Sequence, residues 1–141
     1  MSDNKHKPET AELNPFESIL STMNEAGGFT VSVLTSSEGL PIATVPSSYS
    51  SDLAAAMVAL LQRASNDAQC QLGMAEVDEV TIRDHDHVRL VCRYFTVGHR
   101  SVGADAPTGR TRLILATLVP PGCYYRRVTN QAVEQIKQLL S

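Results

Sequence analysis

The sequence predicts an α+β sandwich: a five-stranded antiparallel sheet in the chain order α-β-β-α-β-β-β-α, with a long second helix on one face and helices one and three on the other. Three observations lead there. Apolar residues recur at three- and four-residue spacing near both ends of the chain, five short runs between them read as strands, and the longest apolar run falls in a stretch of helix formers, "SSDLAAAMVALLQRASNDAQCQL".

Taken in order, residues 1–13 are polar and nearly free of large apolar groups, so they read as a disordered tail ahead of one domain spanning 14–141. In "NPFESILSTMNEAGG", Asn14 supplies a cap, Pro15 suits the first helical position, Glu17 completes a capping box and Gly27 closes the far end. Phe16, Ile19, Leu20, Met23 and Ala26 give this helix one buried face. "FTVSVLTS" alternates with period two, and "LPIATV" reads as its hairpin partner across a Ser37-Glu38-Gly39 turn. Pro41 removes a ladder donor, which sends that second strand to a sheet edge.

The second helix runs from Ser50 or Ser51 to about Leu72, with Gly73 just beyond. Three strands follow in "VDEVTIRD", "HVRLVCRYFTV" and "TRLILATLV". The first two are joined through Asp84-His85-Asp86, and the last two through a long loop from Gly98 to Arg110. The third strand, around Val80 to Arg83, is expected at a sheet edge, and Leu113 to Val119 is apolar enough for a central strand covered on both faces. Val128, Ala132, Ile136 and Leu139 mark the third helix.

A chain of 141 residues with 43% hydrophobic and 19% charged side chains is an ordinary single-core protein, and a net charge of -3 gives no electrostatic reason to expect nucleic acid. No apolar segment is long enough to insert in a membrane, and the start has no signal-peptide core, so the expected location is the cytoplasm. Cys70, Cys92 and Cys123 are odd in number and form no CxxC pair, which fits reduced thiols.

Candidate chemistry is sparse. His85 and His87 with Asp84 and Asp86 are metal-ligand types, but they form a hairpin tip with no second ligand cluster, so no metal site is expected. "GADAPTGRT" has five residues between its glycines, ends in Arg110 and leads into a strand, which excludes a phosphate loop. No nucleophile elbow is present, and Cys92 falls mid-strand, where a thiol is inert. Arg100, Arg110 and Arg112 lie in or beside the long loop, and loop solubility explains them better than a role against a phosphoryl group. No catalytic residue and no cofactor is therefore expected.

The second helix is the anomaly. From Leu53 to Leu61, nine residues carry no polar side chain, and at about 100° per residue they sweep around the whole cylinder. Leu53, Met57, Leu60, Leu61, Ala64 and Ala68 are expected to pack on the sheet. That leaves Ala55, Val58 and Ala59 outside, followed by Gln62 and Asn66, as a second packing surface. The expected homodimer would use this surface and the free edge at Val80, Thr81, Ile82 and Arg83, with Glu76, Asp78 and Glu79 as charges that could instead guard the edge.

Four strings, "GG" at Gly27-Gly28, "SSEGLPIAT", "QLGM" and "GCYYRRVTNQAVEQIKQLL", together resemble the roadblock family of dynein light chains and bacterial MglB-type regulators. The resemblance covers Asn14 to Leu140, and Gly39-Leu40-Pro41-Ile42-Ala43 is its most specific piece. It implies a small non-enzymatic homodimer that binds a Ras-like small GTPase on a platform of paired second helices, with stimulation of hydrolysis left open. The alternatives are a scaffold subunit of a motor or signalling complex, or a small-ligand sensor. The loop from Gly98 to Arg110 exceeds what a minimal member needs, so no residue role is carried over there.

Overall fold

The computed structural model describes residues 14–48, 51–99 and 109–141. The elements are α1 (Pro15–Gly27), β1 (Val31–Ser36), β2 (Pro41–Val45), α2 (Ser51–Leu72), β3 (Glu79–Arg83), β4 (Arg89–His99), β5 (Gly109–Val119) and α3 (Arg126–Leu140). The expected tail, residues 1–13, and most of the loop from Gly98 to Arg110, with Arg100, lie outside the described residues.

Local chemistry sets the start of α1. The Asn14 side chain accepts from the Glu17 amide at 2.7 Å, and the Glu17 carboxylate accepts from the Asn14 amide at 3.2 Å, closing the capping box. The helix closes one residue later than expected, on Gly28 in the left-handed region at φ 74°. Gly27 serves space instead, because a Cβ there would stand 2.3 Å from the Phe29 ring.

All five strands pair antiparallel in the order β2-β1-β5-β4-β3. The last strand in sequence therefore lies in the middle, as its apolar run predicts, and Pro41 and β3 fall on the two edges. β4 and β5 pair from Arg89↔Val119 out to His99↔Gly109, so their hairpin is longer than the apolar patterns suggest. Inside the sheet, the Ser32 and Thr117 hydroxyls are 2.7 Å apart, and Ser32 donates to the Asn24 side chain, which satisfies two buried polar groups in neighbouring strands.

α1 and α3 share one face of the sheet, where Leu20, Met23, Ala132 and Ile136 close over Leu34, Val91, Phe95 and Leu115. On the other face, Val58 and Leu61 of α2 pack with Cys92, Tyr94, Ile114 and Ala116.

Here one expectation fails. Ala54, Val58, Leu61 and Ser65 form the inward side of α2, with Val58 only 1% exposed, whereas Leu60 is 61% exposed and Ala64 is also outside. Val58 thus belongs to the core and not to the outer surface. An all-apolar run has no polar residue to mark its wet side, so polar anchors elsewhere set the rotation. The Tyr94 hydroxyl donates to the Leu61 carbonyl at 3.2 Å, and the Gln69 side chain accepts from the Val77 amide at 3.3 Å. Ala59 and Asn66 are outside as expected, and Ala55 and Gln62 are half-buried.

Candidate partner-binding surface

The "SSEGLPIA" stretch is the seat of α2. Its turn puts Gly39 at φ 89°, buried against Ala55 and Val58 of the helix, a backbone conformation that L side chains rarely adopt. Ser36 Oγ accepts from the Glu38 and Leu40 amides, and the Gln62 side chain donates to the Ser37 carbonyl at 3.2 Å. Gln62 is therefore partly committed to holding the hairpin, while Ala59, Leu60 and Asn66 present a free outer side.

From that seat α2 crosses the sheet toward Val77, ahead of β3, and among the described residues the opposite end of the sheet face is only partly covered. The ladder partners Val31↔Leu118, Leu118↔Leu90 and Leu90↔Ile82 line up there as one aliphatic row across four strands. Val31, Leu118 and Leu90 are half-buried, and Ile82 is 46% exposed. Between this row and Met57 lies an apolar cavity of about 70 Å³. That cavity is far below the few hundred Å³ of a small-molecule site.

β3 borders the row at the sheet edge. Of the expected edge residues, Thr81, Ile82 and Arg83 are exposed and Val80 is half-buried against the α2-side cluster of Val58, Leu61, Cys92, Tyr94, Ile114 and Ala116. On the α3 side, the Tyr125 hydroxyl donates to Glu79 Oε2 at 2.6 Å, Thr81 Oγ1 donates to the same oxygen at 2.9 Å, and Arg93 Nε stands 4.0 Å from Glu79 Oε1. The hydrogen bond to Glu79, followed by burial, raises the Tyr125 pKa. The connection from α2 into β3 is held by Arg112, which donates to the Glu76 carboxylate and the Val77 carbonyl and lies over the Tyr94 ring, 5.1 Å from its centroid.

Asp84 and Cys92 have structural employment. Asp84 accepts from the Asp86 and Val88 amides at 2.9 Å each, fixing the β3–β4 turn in which His87 takes φ 68°. Among the described residues, no group of three His, Cys, Asp or Glu side chains is placed to hold a metal ion. Burial, with a smaller contribution from Glu79, pushes the Cys92 thiol up to about 12, so the thiolate that would react is unavailable near neutrality. Among the described residues, no helix is long and apolar enough to cross a membrane.

The exposed Leu60 and the aliphatic row carry no local sequence signal. Leu60 sits in the unmarked apolar run, and the row exists only through ladder partners distant in sequence.

The sequence matches no protein-family model and no curated protein. Solved structures do match. Myxococcus xanthus MglB superposes with a TM-score of 0.67 at 13% identity, over 91% of this chain and 96% of that one. The gliding protein MglB from Thermus thermophilus gives 0.63 at 11% identity over 89% and 87%. A Roadblock/LC7 domain from Streptomyces avermitilis gives 0.59 at 17% identity over 87% and 92%. Likeness at these identities is a likeness of backbone architecture, and the fold of this chain is the roadblock fold shared by MglB.

Proposed function

We propose that this chain is a non-enzymatic cytoplasmic adaptor that dimerises and binds a Ras-like small GTPase on a platform built from two copies of α2. The observation that carries the reading is the partly covered end of the sheet face. The row Val31, Leu118, Leu90 and Ile82 runs to the β3 edge beside an α2 whose outer side offers Leu60 and small alanines. An apolar ledge that ends at an open strand edge is what a second copy would cover. The fold shared with MglB and roadblock domains supports the same reading, as does one further structural match, an MglB with tetrameric arrangement.

In this arrangement Ala55, Ala59, Gln62 and Asn66 flank the platform, and Val80 to Arg83 form the shared edge. A GTPase reports its nucleotide through segments ordered by the γ-phosphate and Mg²⁺, so a rigid platform reads the state by fitting one shape. The test is binding of the purified chain to Ras-like GTPases from the same organism, each loaded with GDP or a non-hydrolysable GTP analogue. Preference of about tenfold or more for one state supports the reading. Equal binding to both states, or none, overturns it and leaves a dimeric scaffold. Hydrolysis rates in the same mixtures decide whether the chain accelerates the GTPase or only binds it.

A further inference from the structure

The arginines of this chain are unevenly placed. Arg83, Arg89, Arg93, Arg126 and Arg127, five of its 12 lysines and arginines, gather where the β3–β4 hairpin meets the start of α3, on the sheet face opposite α2. Contacts fix the place. Arg89 donates to the Pro120 and Cys123 carbonyls and lies over the Tyr125 ring, 5.7 Å from its centroid, and Arg126 lies over the same ring at 5.6 Å. Arg93 donates to Thr129 Oγ1 at 2.9 Å and to the Asn130 side chain. Arg83 is the ladder partner of Arg89 and shares its strand face with Thr81 and Glu79, since alternate residues of a strand point the same way.

The nearby acids do not neutralise this cluster. Glu79 stands among the arginines, but its carboxylate already accepts from the Tyr125 and Thr81 hydroxyls and lies 4.0 Å from Arg93. Glu134, further along α3, pairs with Lys137 at 3.9 Å. Among the described residues, Arg83, Arg126 and Arg127 are exposed and form no ion pair. A chain of net charge -3 thus carries a concentrated positive field at one corner.

We infer that this corner is a second docking surface, and that its occupant is an acidic segment of a partner protein. Three observations choose that occupant. The free guanidiniums are divided between a strand edge and the first turn of a helix, so they suit carboxylates spaced along a chain better than a single phosphate. Asp84 and Asp86 are exposed in the β3–β4 turn beside them, where an anionic lipid surface would meet like charge. Tyr124, 91% exposed at the entry to α3, adds the aromatic side chain that, with arginine, is enriched where proteins meet. Arg89 and Arg93 are already held by their acceptors, so the surface needs little ordering on contact. It faces away from α2 and is independent of the platform proposed above.

A fluorescent peptide of alternating glutamate and glycine tests the inference, with its glutamine counterpart as control. Anisotropy should rise with the acidic peptide alone, and affinity should fall about tenfold or more as salt is raised from about 0.05 to about 0.5 M. Arg126→Gln with Arg127→Gln should weaken binding about fivefold at an unchanged melting temperature. Arg63→Gln with Arg110→Gln removes the same charge elsewhere and should leave binding intact. Equal binding of the two peptides, or equal loss from the two double variants, overturns the inference. Displacement of the peptide by inorganic phosphate at matched ionic strength, or arginine-dependent binding to vesicles of phosphatidylcholine and phosphatidylserine, also overturns it and reassigns the surface to a phosphate or a lipid headgroup. A chain that binds this peptide but no GTPase in either nucleotide state overturns the platform reading and supports this one.

Discussion

The hydroxyl of Tyr94, on β4, donates to the backbone carbonyl of Leu61 in the middle of α2, 3.2 Å away. That single bond ties the helix to the sheet at the point where hydrophobicity alone leaves its rotation undetermined. Tyr94→Phe should lower stability by about 1 kcal/mol, the net value of one such bond, as read from the midpoint of urea unfolding. Dimerisation should change little, because Leu61 faces inward.

Val58 and Leu60 are two residues apart and should behave in opposite ways. Val58→Glu buries an unpaired carboxylate in the core, and several kcal/mol of destabilisation should leave the chain largely unfolded by circular dichroism. Leu60→Glu alters only the outer side and should melt within about 0.5 kcal/mol of wild type while weakening self-association in sedimentation. A folded Val58→Glu protein would show that α2 can rotate on the sheet.

Gln62 and Asn66 separate in the same way. Asn66→Lys should leave stability unchanged, and Gln62→Lys should cost about 1 kcal/mol by releasing the Ser37 carbonyl at the hairpin tip. Thermal melts of the two single variants check this. Both changes should weaken capture of a GTPase if the platform is the docking surface.

Alkaline stability should depend on Cys92. Its folded-state pKa is pushed up from 9.0 to about 12, chiefly by burial, so above pH 9 the unfolded chain loses a proton that the folded chain keeps. The unfolded state then binds fewer protons, and stability falls as pH rises from about 9 to 12. Cys92→Ala should flatten this part of the decline in urea titrations at stepped pH, at the cost of a lower plateau near neutrality.

How much of this was legible in the sequence follows from the range of each interaction. The α1 cap was readable because Asn14, Pro15 and Glu17 act within one turn, and the edge position of β2 followed from one missing donor at Pro41. The buried side of α2 was not readable, because Leu53 to Leu61 carries no polar residue to orient it, and Ser65, a polar residue, lies inside. The aliphatic row and the Glu79–Tyr125 contact depend on partners distant in the chain, which no local pattern encodes. Ala59 and Asn66 have the outer placement expected of them, and Val58 does not.

The central place of β5 has a consequence for how the chain is made. β1–β2 and β3–β4 are complete hairpins by the time the ribosome has released His99, yet neither touches the other through the ladder, because the strand between them starts at Gly109. Until that strand emerges, the nascent chain holds two half-sheets with open inner flanks, and α3, which seals one face, follows it. Folding of this domain is therefore gated by the synthesis of β5 and α3, and termination before Val119 yields sticky fragments instead of a smaller stable protein. A stalled-ribosome series should show protease resistance appearing in one step, after β5 and α3 have cleared the exit tunnel.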